Sequence, residues 1–264
     1  MIFNAASLAF FDMIACVQAH FVSDAAQQSP KAPFFILAGD STTAIQSSNG
    51  GGWGDGFLNT TLFQGATGTN FGHNGATTVS FRAGGDWENV LETVRQVQDE
   101  YMPFVTIQFG HNDQKSDVNI SLSQYTENLE TFVTEVFNAG ATPILVTPLS
   151  RRNYDDSTEN PVIITSLANE TAATISAAHH LDSKYIDLNQ ASIKYLNAIG
   201  PKNSYTYNLN AVDYTHLNVA GSIVFGGMVA ELIAQDLPYL KRNGYLRISE
   251  QLKKDVDRGM YYYP

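Results

Sequence analysis

Ser41 follows Gly39-Asp40 at the end of the apolar run Phe34-Phe35-Ile36-Leu37-Ala38. A serine just past a buried strand projects into the crevice beyond the sheet edge, where its hydroxyl can attack a carbonyl once a base takes its proton. Gly39 permits the tight turn this requires, although Asp40 or Ser41 can also simply cap a following helix. A base is available far down the chain, in Val212-Asp213-Tyr214-Thr215-His216-Leu217-Asn218. Asp213 and His216 are three residues apart, which can set the carboxylate against one imidazole nitrogen. The other nitrogen then remains free to accept a serine proton. Asn112, in Phe109-Gly110-His111-Asn112-Asp113, also follows an apolar run. Its side-chain amide can donate to a developing oxyanion or close an Asx-turn. Together these parts would perform acyl transfer.

The elements that must position them show in the hydrophobic pattern. Unbroken apolar runs at 34–38, 104–109 and 143–146, with a shorter one at 185–188, have the character of strands buried on both faces. Between them the spacing turns helical. Trp87, Val90, Leu91, Val94 and Val97 form one stripe, with Asp86 placed as its N-cap. Tyr125, Leu129, Phe132, Val133, Val136 and Phe137 form another, opening near Ser123 and closing at Gly140. Further helices are predicted over about 162–180, over 189–199 before Gly200-Pro201, and from about Asn218 to Ala234. Strands alternating with helices predict a mostly parallel central sheet covered on both faces, a three-layer α/β/α sandwich. With no internal repeat and no composition break, residues 34–264 are expected to form a single domain.

Composition narrows the function. Of 264 residues, 44% are apolar, 16% charged and 11% aromatic, which excludes collagen-like, coiled-coil and wholly disordered chains. Asp and Glu number 26 against 15 Lys and Arg, a net charge of −11. No basic run exceeds a pair such as Lys253-Lys254, so nucleic acid is not an expected partner. The single cysteine, Cys16, can form neither an internal disulfide nor a thiolate metal site. It lies in an apolar segment, 1–19, whose end Val17-Gln18-Ala19 has signal-peptidase spacing, although Asp12 interrupts it and no Lys or Arg precedes it. Residues 1–19 are therefore read as a signal peptide and 20–33 as a short linker. No other stretch is expected to span a membrane, and secretion as a monomer is expected. Sequons at Asn59, Asn119 and Asn169 fit a secreted glycoprotein but are about as many as chance supplies.

Gly-Asp-Ser, Gly-His-Asn-Asp and Asp-x-x-His, in this order, resemble the motifs of the SGNH (GDSL-type) hydrolase superfamily. The resemblance spans residues 34–235. Its glycine block looks matched by Gly75 in Gly72-His73-Asn74-Gly75-Ala76-Thr77-Thr78. Gly-Asp-Ser-Thr, Phe-Gly-His-Asn-Asp, Asp-Tyr-Thr-His-Leu-Asn and Trp53-Gly54 look most like the rhamnogalacturonan acetylesterase branch. The resemblance implies the SGNH/flavodoxin-like hydrolase fold, Ser41 as nucleophile, His216 as general base and then acid, and Asp213 as the orienting carboxylate. It also implies an oxyanion hole built from the backbone N–H groups of Ser41 and Gly75 and the Asn112 amide. Neither a cofactor nor a metal is implied.

Asp40, His111, Asp113 and Trp53 are secondary candidates for shaping the cleft, with turn-stabilising bonds or core packing as their alternative roles. The branch usually carries Arg-Ser-x-Arg-Ser after the glycine. Here the residues are Ala76-Thr77-Thr78-Val79-Ser80, so two cations are missing and a pectic substrate becomes less certain than the triad. The expected substrate is an acylated carbohydrate, most readily an acetyl ester of a plant cell-wall polysaccharide; lipid or small-molecule esters are the alternative. Two other classes compete. A two-metal phosphoesterase would need more histidines near the first motif. A carbohydrate-binding protein on a dead hydrolase fold would need some other lesion, because every triad residue is present.

Overall fold

Phe34 to Ala38 has little but apolar and small side chains, and such a run can be buried on both faces only at the centre of a parallel sheet. The computed structural model, which describes residues 1–2, 31–157 and 159–264, places it there. In chain order the described elements are β1 (Pro33–Gly39), α1 (Gly54–Thr61), β2 (Thr67–Asn70), α2 (Thr78–Ala83), α3 (Asp86–Val97), β3 (Met102–Gln108) and α4 (Leu122–Asn138). There follow β4 (Thr142–Val146), β5 (Tyr154–Asp155), β6 (Val162–Ile163), α5 (Ala168–His180), β7 (Lys184–Ile186), α6 (Leu188–Ser204), α7 (Val219–Asp236), α8 (Pro238–Arg242) and α9 (Glu250–Asp257). Five strands form a wholly parallel sheet in the order β2-β1-β3-β4-β7, and β5 and β6 make a separate antiparallel pair. Residues Lys31–Pro264 pack as one unit.

Strand alternation divides the interior into two cores. Phe35 and Leu37 of β1, Phe104 of β3, and Ile144 and Val146 of β4 meet α1, α6, α7, α8 and α9 on one face. Ile36 and Ala38, Val105 and Ile107, and Leu145 meet α2, α3, α4 and α5 on the other. The result is the three-layer α/β/α sandwich that the alternation of elements predicts. Chain order reverses between β1 and β3, where the connections leave to opposite sides and open a crevice beyond the strand ends. Ser41 and Asn112 lie just past those two ends.

Several boundaries differ from the sequence expectations. The N-cap of α3 is Gly85, and Asp86 is the first helical residue. Ser121, rather than Ser123, caps α4 by accepting from the Gln124 N–H. Residues 162–163 are strand, so α5 begins only at Ala168. Asp187 belongs to no strand; its carboxylate accepts from Gln190 N and caps α6. Helices α1, α2, α8 and α9, none longer than eight residues, are not among the helices expected from the sequence. Gly39 is not in a left-handed conformation: a Cβ there would come within 2.4 Å of Thr43 Oγ1 and 2.7 Å of Gln108 O, so the position needs empty space.

Helix α7 also departs from expectation, being long and apolar enough to cross a membrane by length and composition. It is 67% buried within the protein, however, and forms the centre of the first core. Residues 3–19 of the proposed signal segment, Cys16 among them, and residues 20–30 of the expected linker lie outside the described residues.

Trp53 is a correction. It was a candidate for the cleft, yet its ring is fully buried in the first core and packs edge-on against Phe57. Its indole N–H donates to Gln108 Oε1 at 2.6 Å. The Gly-rich loop brings it inward by pairing with the turn that follows Ser41: Gly52 N donates to Ala44 O, and Trp53 N to Thr42 O, both at 2.9 Å. Trp53→Phe should therefore lower unfolding stability by about 1–3 kcal/mol, because it strips a partner from a buried amide oxygen. Denaturant titration would measure this loss. KM for a soluble ester should not move, and a raised KM at unchanged stability would return the ring to the cleft.

Candidate active site

The serine turn is built around Asp40. Its Oδ1 accepts from both the N–H and the hydroxyl of Thr42 at 2.8 Å, while its carbonyl accepts from Thr43 N and Ala44 N. From below, the buried Gln108 side chain accepts from Thr43 Oγ1 at 2.7 Å and donates to Thr42 Oγ1 at 2.9 Å. Ser41 is thereby held at the top of β1, 5% exposed.

The histidine comes from the loop before α7. His216 Nε2 lies 2.8 Å from Ser41 Oγ, and His216 Nδ1 lies 2.8 Å from Asp213 Oδ2. Asp213 Oδ1 also accepts from the backbone N–H groups of Thr215 and His216, at 3.0 and 2.8 Å. Partial burial raises the Asp213 carboxyl, but these bonds and the neighbouring imidazole outweigh it and leave the pKa below the ordinary value. The three residues form one hydrogen-bonded chain. An acceptor on Nδ1 fixes the tautomer and leaves Nε2 able to take the serine proton.

Gly75 and Asn112 meet across the β1–β3 crevice. Gly75 has φ +81°, a conformation that only glycine adopts without strain, and nothing would obstruct a Cβ there. Backbone geometry, not space, therefore selects the residue. The loop lies beside the serine turn because His73 N donates to Gly39 O at 2.9 Å. Asn112 Nδ2 donates to Ala76 O at 2.9 Å, which ties the two blocks together. The N–H groups of Ser41 and Gly75 donate to no partner among the described residues. Both remain available to a ligand.

Asp40, His111 and Asp113 lie beneath the cleft and do not line it, being 0%, 2% and 2% exposed. Burial raises the Asp40 carboxyl, but the His111 ring 3.5 Å away and the bonds from Thr42 reverse this and leave the pKa low. Asp113 Oδ1 accepts from Thr78 N at 2.8 Å and from Thr78 Oγ1 at 2.6 Å, pinning the start of α2 and with it the Gly75 loop. Burial pushes the Asp113 carboxyl up to about 6 against those two bonds, and the Asp40 charge adds to the rise.

Arg152 and Gln108 carry no motif and went unnoticed in the sequence. Arg152 is fully buried, and its guanidinium donates to Asn208 Oδ1 at 2.5 Å and to His216 O at 2.6 Å. Its N–H also bonds Tyr214 O at 2.8 Å, so it braces the histidine loop from both ends. Burial lowers its pKa to about 10, still charged at neutral pH. The only available signal was an Arg-Arg pair shortly after an apolar run, in a chain poor in cations. Among the described residues, no three His, Cys, Asp or Glu side chains gather as metal ligands would.

Fold and chemistry together define a carboxylic ester hydrolase. The family model of the GDSL-like Lipase/Acylhydrolase family matches residues 37–222, and the chain belongs to that family. Within the SGNH hydrolases it falls on the rhamnogalacturonan acetylesterase-like branch. It is 31% identical over 216 residues to rhamnogalacturonan acetylesterase RhgT of Bacillus subtilis (strain 168), covering 76% of this chain and 89% of that protein. It is also 28% identical over 208 residues to the probable rhamnogalacturonan acetylesterase YesY of the same strain, covering 75% and 91%. The fold is shared with a crystal structure from Bacillus subtilis at TM-score 0.66 and 24% identity, covering 81% of this chain and 58% of that one. It is shared too with the acetylxylan esterase Axe2 of Geobacillus stearothermophilus at TM-score 0.54 and 18% identity, covering 78% and 94%.

Two variants test the supports. Arg152→Met should cost about 2–4 kcal/mol in denaturant unfolding, because Asn208 Oδ1 and the His216 carbonyl lose a buried donor. It should also lower kcat by about ten- to a hundredfold through the displaced imidazole. An Asp whose folded pKa is raised contributes stability that is full below its unfolded pKa and lost as pH rises through the folded one. Asp113→Asn should therefore flatten the fall in unfolding midpoint between the ordinary carboxylate range and pH ~6. A steeper fall in the variant would contradict the assignment.

Proposed function

We propose that this protein is a serine esterase that removes acetyl groups from a plant cell-wall polysaccharide of the rhamnogalacturonan type. The unbroken hydrogen-bonded chain from Ser41 through His216 to Asp213 carries the reading. Ser41 Oγ attacks the ester carbonyl as its proton passes to His216 Nε2. The negative charge that develops on the carbonyl oxygen is met by the N–H groups of Ser41 and Gly75 and by the second N–H of Asn112. Collapse breaks the bond to the sugar oxygen, which takes the proton back from His216. Water, deprotonated in turn by His216, then releases acetate and restores Ser41. Asp213 orients the imidazole and stays ionised throughout.

The acetyl group and the polysaccharide rest on the relatives' names. The absence of the two arginines after Gly75 argues for a pocket less demanding of negative charge than the branch pattern implies. A polysaccharide substrate and the apolar segment 1–19 favour action outside the cell. The three sequon asparagines, Asn59, Asn119 and Asn169, are all exposed, as glycosylation would require.

Acetate release from acetylated rhamnogalacturonan, with acetylated xylan alongside, tests the substrate. Ser41→Ala should lower turnover by about 10⁴–10⁶, and Asn112→Ala by about 10²–10³. Release from neither polymer, by a protein whose serine still reacts with a fluorophosphonate, would leave the esterase and discard the polymer. The pH profile gives an independent check. Activity should fall as pH drops through the histidine range, about 6.5. A flat chemical step from pH 5 to 8 would contradict the histidine base.

A further inference from the structure

The Asn112 amide is held at both ends by partners that leave its orientation no freedom. Its nitrogen faces the Ala76 carbonyl, which can only accept, at 2.9 Å. Its oxygen faces Lys115 Nζ, which can only donate, at 2.7 Å. Reversing the amide would set donor against donor and acceptor against acceptor. The turn that brings the lysine back is itself fixed, because Lys115 N donates to Asn112 O at 3.1 Å. Carboxylates also lie close to the reacting atoms, Asp213 in the chain and Asp40 and Asp113 below, while the guanidinium groups of Arg151 and Arg152 bond the backbone carbonyls of His111 and His216. A negative charge forming on the substrate oxygen needs a cation nearby, and the net charge of −11 supplies none in general.

We infer that Lys115 is a positioning residue for the oxyanion hole: its ammonium locks the Asn112 amide and polarises it, so that the remaining N–H binds the transition-state oxyanion more strongly than the ground-state carbonyl. A charged donor on the amide oxygen draws electron density from the nitrogen and strengthens the bond that nitrogen donates. The gain is realised only when charge develops, and it therefore belongs in kcat. Lys115 lies outside the Gly-His-Asn-Asp motif and touches no substrate atom in this role. The inference rests on the proposed serine mechanism, and the test separates the two.

Steady-state hydrolysis of 4-nitrophenyl acetate would be measured for wild type, Lys115→Met, Lys115→Arg and Ser41→Ala at 50 mM and 1 M NaCl. Lys115→Met should lower kcat about tenfold with KM within twofold, a smaller loss than removing the donor itself. Lys115→Arg should recover most of the rate, and the gap between wild type and Lys115→Met should narrow at high salt. The lysine is exposed, so both lysine variants should keep the wild-type unfolding midpoint. A kcat within twofold of wild type for Lys115→Met beside an inactive Ser41→Ala would overturn the role of Lys115 alone. Equal losses in the Met and Arg variants would likewise refute a charge-based role. An active Ser41→Ala would overturn the serine mechanism, and this inference with it.

Discussion

The carboxyl edge of the sheet depends on the side-chain amide of Gln108. It is wholly buried where β1 and β3 run side by side, with Gly39 directly opposite. Its oxygen accepts from Trp53 and Thr43, its nitrogen donates to Thr42, and its backbone carbonyl accepts from Asp40 N. The serine turn is thus bonded to one residue of the neighbouring strand, Asp40 through its backbone carbonyl and Thr42 and Thr43 through its side chain. Leaving such an amide unsatisfied in a dry interior costs more than its bonds gain in water, so the turn has one low-energy conformation. Gly39 must lack a side chain because the Gln108 backbone carbonyl and the Thr43 side chain occupy the space.

The site is held by charges with different environments. Asp213 is partly exposed, accepts three hydrogen bonds and stays ionised. Asp113 is buried with only Thr78 for its Oδ1 and is pushed toward neutrality. Asp40, deeper still, is kept charged by His111 and Thr42. The cations are fewer: Arg152 lies under the histidine loop, Lys115 on the Asn112 amide, and Arg151 beside the His111 carbonyl within the field of Asp40. An acidic chain can stabilise an oxyanion only by such local placement, because its overall field opposes negative charge.

Rigidity follows from how the blocks are joined. The Gly75 loop is tied to β1 through His73, to Asn112 through Ala76, and to Asp113 through Thr78. The histidine loop is tied to Arg152 and, through the Leu217 N–H, to Gly51 O. Donors and base therefore reach the serine from three separate connections without relying on one another's flexibility. In the proposed mechanism this pre-organisation is what lets a hydroxyl of ordinary acidity act as a nucleophile.

Local sequence determined four of the five sheet strands, the main helices and the candidate residues Ser41, Asp213 and His216; β2, Thr67-Gly68-Thr69-Asn70, is a polar edge strand that no apolar run announces. Buried parallel strands must be unbroken apolar runs, and Ser41, Asn112 and the Asp213–His216 pair each follow or precede an element whose pattern is visible along the chain. It also carried the glycine at position 75, since a left-handed backbone selects that residue. Helices of eight residues, such as α1 and α9, span too few turns to stand out along the chain, and α7 matches a membrane span in length and composition until its packing is known. Trp53, Gln108, Arg152 and Lys115 took their roles only in three dimensions. Whether a tryptophan faces solvent, or an arginine finds a carbonyl 64 residues away, depends on which strands lie side by side. That pairing is a long-range choice made by burial and hydrogen-bond satisfaction over the whole sheet, and no window of neighbouring residues contains it.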